Sequence, residues 1–150
     1  MTEDKLNSII RHIKKVEDNC NVIARKLMPT QPKFSRALIQ RGRLHDISKL
    51  STYEYNHLDI TDSAFQSALK SHHRKNSHHP EHYNSIHAMS ELDIAEMVCD
   101  CLARSQEFGS DIKQWFFIDA PKIHKYTQTD HVWKRIEFYL DLLLTPKFTK

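Results

Sequence analysis

Four places in this 150-residue chain carry side chains that could ligate a metal ion: His12, the adjacent pair His45-Asp46, a histidine cluster running from His72 to His82, and Asp100. Imidazole suits transition metals, and a carboxylate next to it in sequence can bind through one oxygen and reach a second ion with the other. A metal held this way lowers the pKa of a bound water and turns it into a nucleophile toward phosphorus or another electrophile. That chemistry requires the four places to meet in space.

Helices must bring them together. Only two glycines, Gly42 and Gly109, and five prolines leave little material for hairpins, while helix-forming residues are plentiful. Leu6, Ile9, Ile13, Val16, Cys20, Ile23 and Leu27 recur in steps of three and four, which predicts a long first helix. It stops at Met28-Pro29, because the residue before proline disfavours the helical region. A second helix starts near Pro32-Lys33 and turns Phe34, Ala37, Leu38 and Leu44 inward, and a third runs from Asp62 to about His72 behind a Thr61 or Asp62 cap. Asn76 to Ile86 has no period and contains Pro80, so it reads as a loop or a single short turn. The capping signal Ser90-Glu91-Leu92-Asp93 opens a helix that runs to about Phe108 and stops at Gly109. A final helix, about Asp130 to Leu144, stacks Val132, Trp133, Ile136, Tyr139, Leu140 and Leu143. The expectation is one all-α domain over residues 1–150, with about six or seven helices. At this size folding buries roughly 68–70% of the unfolded chain's surface, enough for a core without disulfides.

Helical geometry places the candidate ligands. His12 falls about 60° from the centre of the first apolar stripe, on the edge of the buried face. His45 lies near the middle of the second helix's apolar face, in line with Phe34 and Leu38. Asp100 is the one charged residue in Met97-Val98-Cys99-Asp100-Cys101-Leu102-Ala103, where burying a carboxylate is costly unless it is paired or metal-bound. It projects away from the Ile94, Met97, Val98 and Cys101 stripe, so facing solvent is the alternative. Taken singly, each signal has an ordinary explanation. An inward His12 fits a hydrogen-bonded core residue, and the histidines at 72, 73, 78, 79, 82 and 87 fit a solvated or pH-responsive surface.

Several classes are disfavoured. Cys20, Cys99 and Cys101 are odd in number and lack a CxxC spacing, which fits a reduced, cytoplasmic protein. The polar start Met1-Thr2-Glu3-Asp4-Lys5 contains no readable signal peptide. The most apolar stretch, Phe138 to Leu144, is interrupted by Asp141 and far below the ~20 residues of a membrane span. A net charge of +3, with basic residues scattered among acidic ones, does not suggest nucleic-acid binding.

The order His, then His-Asp, then Asp on successive helices of a small α domain resembles the HD superfamily of metal-dependent phosphohydrolases. The 33 residues from His12 to His45 are similar to the separation in many members. More closely, Leu44-His45-Asp46-Ile47-Ser48-Lys49-Leu50, the segment HHRKNSHHPEHY from His72 to Tyr83, and Glu96-Met97-Val98-Cys99-Asp100 resemble a family of small, largely uncharacterised HD-like proteins of bacteria and phages. The resemblance covers about His12 to Gly109. It implies an HD-domain-like helical bundle with His12, His45, Asp46 and Asp100 as primary ligands.

Several HD branches add two histidines between the His-Asp pair and the last Asp and hold a second metal. His72 and either His78 or His79 match those positions, the other of the pair being free to orient substrate or water. The implied cofactor is one or two divalent metals among Mn, Fe, Co, Ni, Zn and Mg. Lys49 reads either as a surface lysine or as a cation that stabilises phosphate charge, and Arg43, Arg74 and Lys75 extend an electropositive rim for substrate. Glu81 is either a general acid or base, if its loop folds over the metal, or an exposed carboxylate.

HD 5′-nucleotidases commonly carry an acidic residue where this chain has Lys49, so the usual water-activating carboxylate is missing. Lys49 with the extra histidines looks like dinuclear HD branches, which include cyclic-dinucleotide phosphodiesterases and di-iron oxygenases. The expected function is therefore metal-dependent hydrolysis of a nucleotide or other small phosphoester. An HD-type di-iron oxygenase and a non-catalytic metal- or nucleotide-binding module are the alternatives. A small phosphorylated molecule is the expected partner, and a homo-oligomer remains open.

Overall fold

A computed structural model describes residues 2–146. Among the described residues the fold is all-α, with no strand. The long helices are α1 (Thr2–Leu27), α2 (Pro32–Leu44), α4 (Phe65–Lys75), α5 (Glu91–Phe108) and α8 (His131–Leu144). Short helix α3 (Thr52–His57) sits between α2 and α4. Between α5 and α8, α6 (Ile112–Gln114), a π-turn (Trp115–Asp119) and α7 (Ala120–His124) follow one another without a break. Counted as one rod, they make seven helices, the architecture the sequence predicts. No helix of the described residues is long and apolar enough to cross a membrane.

The local signals act as expected at most helix ends. α1 stops before Pro29, and α2 starts with Pro32 in its first turn, where the missing N–H is not needed. Ser90 and Asp93 form a reciprocal capping box on α5, and Gly109 ends it at φ 66°, a left-handed conformation that glycine takes without a Cβ penalty. The third predicted helix begins later, at Phe65, because Asp62 accepts the Ala64 N–H and closes a turn before the helix starts. It also runs on to Lys75. The segment after it contains two short 3₁₀ turns, Pro80–His82 and Ile86–Ala88.

α5 is the central rod: α1, α2, α6 and α8 all pack on it, and α1 packs along α2. The core combines Val16, Cys20, Ile23, Leu38, Ile94, Val98, Phe116, Ile136 and Leu140. The inward face of α2 differs from the expectation. Leu38 is buried and Phe34 half-buried, but Ala37 and Leu44 are exposed, and the buried positions beside Leu38 are Ser35 and Gly42. Close approach explains the choice. A Cβ on Gly42 would stand 2.9 Å from Cys20 Cβ and 3.2 Å from Glu17 Cα, so α2 meets α1 almost backbone to backbone.

Gly42→Ala tests this contact. Overpacking costs about 1–3 kcal/mol, against a helix-propensity gain of about 0.5–1 kcal/mol. The variant is therefore expected to lose about 1 kcal/mol, measured by urea unfolding; a stabilised variant would show that the helices can separate freely.

Candidate metal centre

His12 lies midway along α1, deep in the bundle. His45 follows the last residue of α2 as its C-cap, one position beyond the helix that the periodicity assigned it to. Asp46 then takes φ 52° and ψ 23°, a left-handed conformation that aspartate tolerates better than most residues. This reversal turns both side chains back under the bundle, His45 and Asp46 each being 1% exposed. His72 comes from the last turn of α4, and His78 and His79 from the loop after it. Asp100 comes from α5 and is buried, so the alternative of a solvent-facing carboxylate does not hold.

These side chains converge. His12 Nε2 lies 2.8 Å from Asp100 Oδ1, and His45 Nε2 lies 3.2 Å from Asp46 Oδ2 and 3.6 Å from Asp100 Oδ1. His78 Nε2 is 3.3 Å from both Asp46 Oδ1 and Asp100 Oδ2, and His72 Nε2 is 3.3 Å from Asp46 Oδ1. His72 Nε2 also faces His79 Nε2 at 3.0 Å. Donor atoms of His12, His45 and Asp46, of His45, His78 and Asp100, and of Asp46, His78 and His79 lie within 4.8 Å of one another in each group. Asp46 thus stands between two halves of the cluster, and both His78 and His79 belong to it.

The far sides of the rings carry a second layer that the sequence reading missed. His12 Nδ1 is 2.8 Å from Glu107, His45 Nδ1 is 2.8 Å from Glu96, His78 Nδ1 is 2.9 Å from the same Glu96 oxygen, and His72 Nδ1 is 2.8 Å from Glu54. A carboxylate accepts only, so each Nδ1 donates and each Nε2 of a neutral ring presents its lone pair to the centre. Arg41 donates to Glu96 and Asp93 at 2.8 Å each and so fixes Glu96. Asp93 in turn accepts from Ser77 and Tyr83, which ties the loop bearing His78 and His79 to α5. One signal for this layer was present. Asp93, Glu96, Asp100 and Glu107 share one face of a helix that is apolar almost everywhere else.

A metal fits what these groups leave unsatisfied. His45 Nε2, His78 Nε2 and Asp46 Oδ1 are buried without a hydrogen-bond partner, and all three point into the cluster. Buried polar atoms are rarely orphaned, and nitrogen and carboxylate donors around one space are what a divalent transition metal binds.

The electrostatics agree. Burial works against an imidazolium at His45 and at His78, yet nearby carboxylates outweigh it and hold both pKa values well above the ordinary one. Burial likewise opposes ionisation of Asp46 and Asp100, but the histidines around them keep both well below the usual carboxylate range. Burial opposes ionisation of Glu96 too, and hydrogen bonds from His45 and His78 hold it down at about 2. His79 falls to about 2 through burial and the charge of His78.

Metal uptake near neutral pH must therefore displace protons from His45 and His78. Since those protons are held above the ordinary histidine value of 6.5, apparent affinity should rise with pH and level off only beyond the raised values. Calorimetric titration with Mn²⁺ in buffers of different ionisation enthalpy reads the protons released; the same affinity and no release across about pH 6 to 8 would contradict a protonated His45 and His78 in the metal-free protein. The sign for folding is consistent. The two histidines stabilise the metal-free fold fully below 6.5, and that contribution is lost as pH rises through their folded values.

The remaining candidates land at different distances from the centre. Lys49 Nζ is 3.1 Å from Asp46 Oδ2 and its side chain is largely covered, so it is not a free surface lysine. Glu81 is exposed but lines a cavity of about 140 Å³ with His78, His79 and Asp100, 4.0 Å from His124. Lys75 reaches the rear oxygen of Glu54 at 3.8 Å, beside a carboxylate that orients His72. Arg43 and Arg74 lie at the surface: both are exposed, and among the described residues no ion pair or hydrogen bond ties either to the cluster. Arg43 sits on the outer side of α2, and Arg74 on the outward face of the last turn of α4. His82 and His87 are spent on the carbonyls of His73 and Lys125.

No curated protein and no solved structure matches the chain. A family profile does match, over residues 1–137, and so spans all the residues of the centre. The chain belongs to the Family of unknown function (DUF5662).

Proposed function

We propose that the protein is a metal-dependent phosphohydrolase of the HD type, acting on a nucleotide or another small phosphoester. One observation carries this reading: four histidine rings, each held at Nδ1 by a carboxylate, aim Nε2 at Asp46 and Asp100. His12, His45, Asp46 and Asp100 would hold one ion, and Asp46, His72 and His79, with His78 between the carboxylates, would hold a second. The order along the chain is that of the HD proteins it resembles. Such ions supply, when bound, Lewis acidity and a water acidic enough to attack phosphorus near neutral pH.

The chain's own residues contribute the rest. The Lys49 ammonium stands next to Asp46, where it can stabilise charge on phosphoryl oxygens. Glu81, beside His79 and His124, is placed to hold a proton for a leaving oxygen. Met97, Phe116 and Tyr126 form the apolar wall of that cavity and limit water.

The second reading, an HD-type di-iron oxygenase, is favoured by Lys49 standing where nucleotidases carry a carboxylate and by the excess of histidine over carboxylate around Asp46. Elemental analysis of the purified protein, followed by a turnover screen on nucleotides and phosphoesters with Mn, Co, Mg and Fe, separates the readings. Phosphate release with Mn or Co supports the hydrolase. Bound iron with oxygen consumption supports the oxygenase. A bound ion with no turnover in either assay makes the centre non-catalytic.

A further inference from the structure

We infer that the cleft between the C-terminal half of α5 and the π-turn binds the aromatic ring of a phosphate ester whose ring and phosphate are separated by a spacer about the length of a sugar. The inference rests on the phosphohydrolase reading and adds the shape of the substrate to it.

The cleft has a volume of about 400 Å³, within the range of small-molecule sites. Its floor includes Asp100, so it opens directly onto a candidate metal ligand. Three of its residues, Asp100, Arg104 and Phe108, follow at intervals of four on α5, and such residues lie one above another on a helix face. Each step advances about 6 Å along the axis. A carboxylate at the metal centre, a cation and an aromatic ring therefore stand in a row about 12 Å long.

Each part matches one part of such an ester. Among the described residues Arg104 donates one hydrogen bond, to Glu107 at 3.1 Å, and its remaining N–H donors can meet phosphate oxygens next to Asp100. It also lines a second cleft that contains Lys49, so the two cations face the same approach to the centre. Phe108 is 76% exposed at the outer end, an uncovered aromatic ring. Trp115, at the start of the π-turn, forms the opposing wall with Ile112, and it packs against the core. π-turns of this kind concentrate at functional sites. Phe108 and Trp115 can take a flat ring by stacking, which tolerates different bases because every base has a π-face. A ring bonded straight to its phosphate oxygen is too short to span the row.

Calorimetric titration of the Mn²⁺-loaded protein with AMP, ribose 5-phosphate and phenyl phosphate tests this. AMP should bind about tenfold more tightly than ribose 5-phosphate, which lacks the ring, the effect of one base stacked on an aromatic side chain. Phenyl phosphate, which lacks the spacer, should show no such gain. Phe108→Ala, at an exposed position, should remove the advantage of AMP without changing metal content or ribose 5-phosphate affinity, and Trp115→Leu should do the same. Arg104→Gln should weaken AMP and ribose 5-phosphate alike. Equal binding of AMP and ribose 5-phosphate, with hydrolysis of either, would overturn the cleft assignment and leave the phosphohydrolase reading intact. An AMP advantage that survives both aromatic variants would overturn it as well. Neither binding nor hydrolysis of any of the three would overturn both.

Discussion

Asp46→Asn is expected to abolish stable binding of divalent metal. Asp46 is the carboxylate that His45, His72, His78 and Lys49 all approach, at 3.1 to 3.3 Å. Asparagine keeps the shape and tolerates the φ of 52°, where alanine would add backbone strain to the loss of a ligand. What asparagine removes is the charge and one of the two oxygen donors. Losing an outer partner of a metal ligand typically costs roughly 10–100-fold in affinity; losing a ligand shared by both halves of the centre should exceed that. The fold should survive, because the buried imidazolium groups at His45 and His78 can release their protons once their nearest counter-charge is gone. Elemental analysis beside circular dichroism checks both parts. Wild-type metal content in a folded Asp46→Asn protein would remove Asp46 from the ligand set, and with it the shared-carboxylate arrangement.

Glu96→Gln should produce the next largest effect although Glu96 ligates nothing. One of its oxygens accepts from Nδ1 of both His45 and His78, and the other accepts from Arg41. A glutamine cannot satisfy both sides. If its oxygen keeps the histidines, its NH₂ meets the Arg41 donor; if it keeps Arg41, its NH₂ donates to the rings and drives the proton onto Nε2, the atom that must bind metal. Affinity should fall roughly 10–100-fold, and the disrupted buried network should cost about 1–3 kcal/mol of stability. Glu54→Gln and Glu107→Gln each disturb a single ring, so their effects should be smaller. Titration with Mn²⁺ and urea unfolding give the two quantities. Undiminished affinity in Glu96→Gln would mean that Glu96 does not set the tautomer of His45 and His78.

The contrast between Glu96 and Asp46 shows where sequence reasoning reached and where it stopped. His12, His45, Asp46 and Asp100 were legible because histidine and aspartate are uncommon on buried helix faces, and their order along the chain resembles a known pattern. Glu54, Glu96 and Glu107 were not. Glutamate is the ordinary residue of solvated helix faces, and only a neighbouring imidazole makes it part of a site. Arg43 and Arg74 show how neighbours in sequence part in space: His45 and His72 are buried while both arginines are exposed, since a helix turns adjacent residues to different sides. Arg104, one helical turn past Asp100 and outside every motif read from the sequence, is a cation that lines clefts beside the centre.

The sequence by itself determined the five long helices and most of their ends, but neither α3 nor the α6–α7 rod, because caps, prolines and apolar period act within a few residues and short helices carry too few of them. It placed the end of α1, the start of α2 and both ends of α5 and α8 to within about a residue. Only the tertiary structure decided which way His45 and Asp46 face, since that depends on a left-handed residue after α2 and on Gly42 letting α2 close onto α1. It also decided the partner of every ring, because a hydrogen bond across 18 to 95 residues of chain leaves no periodic trace in either segment.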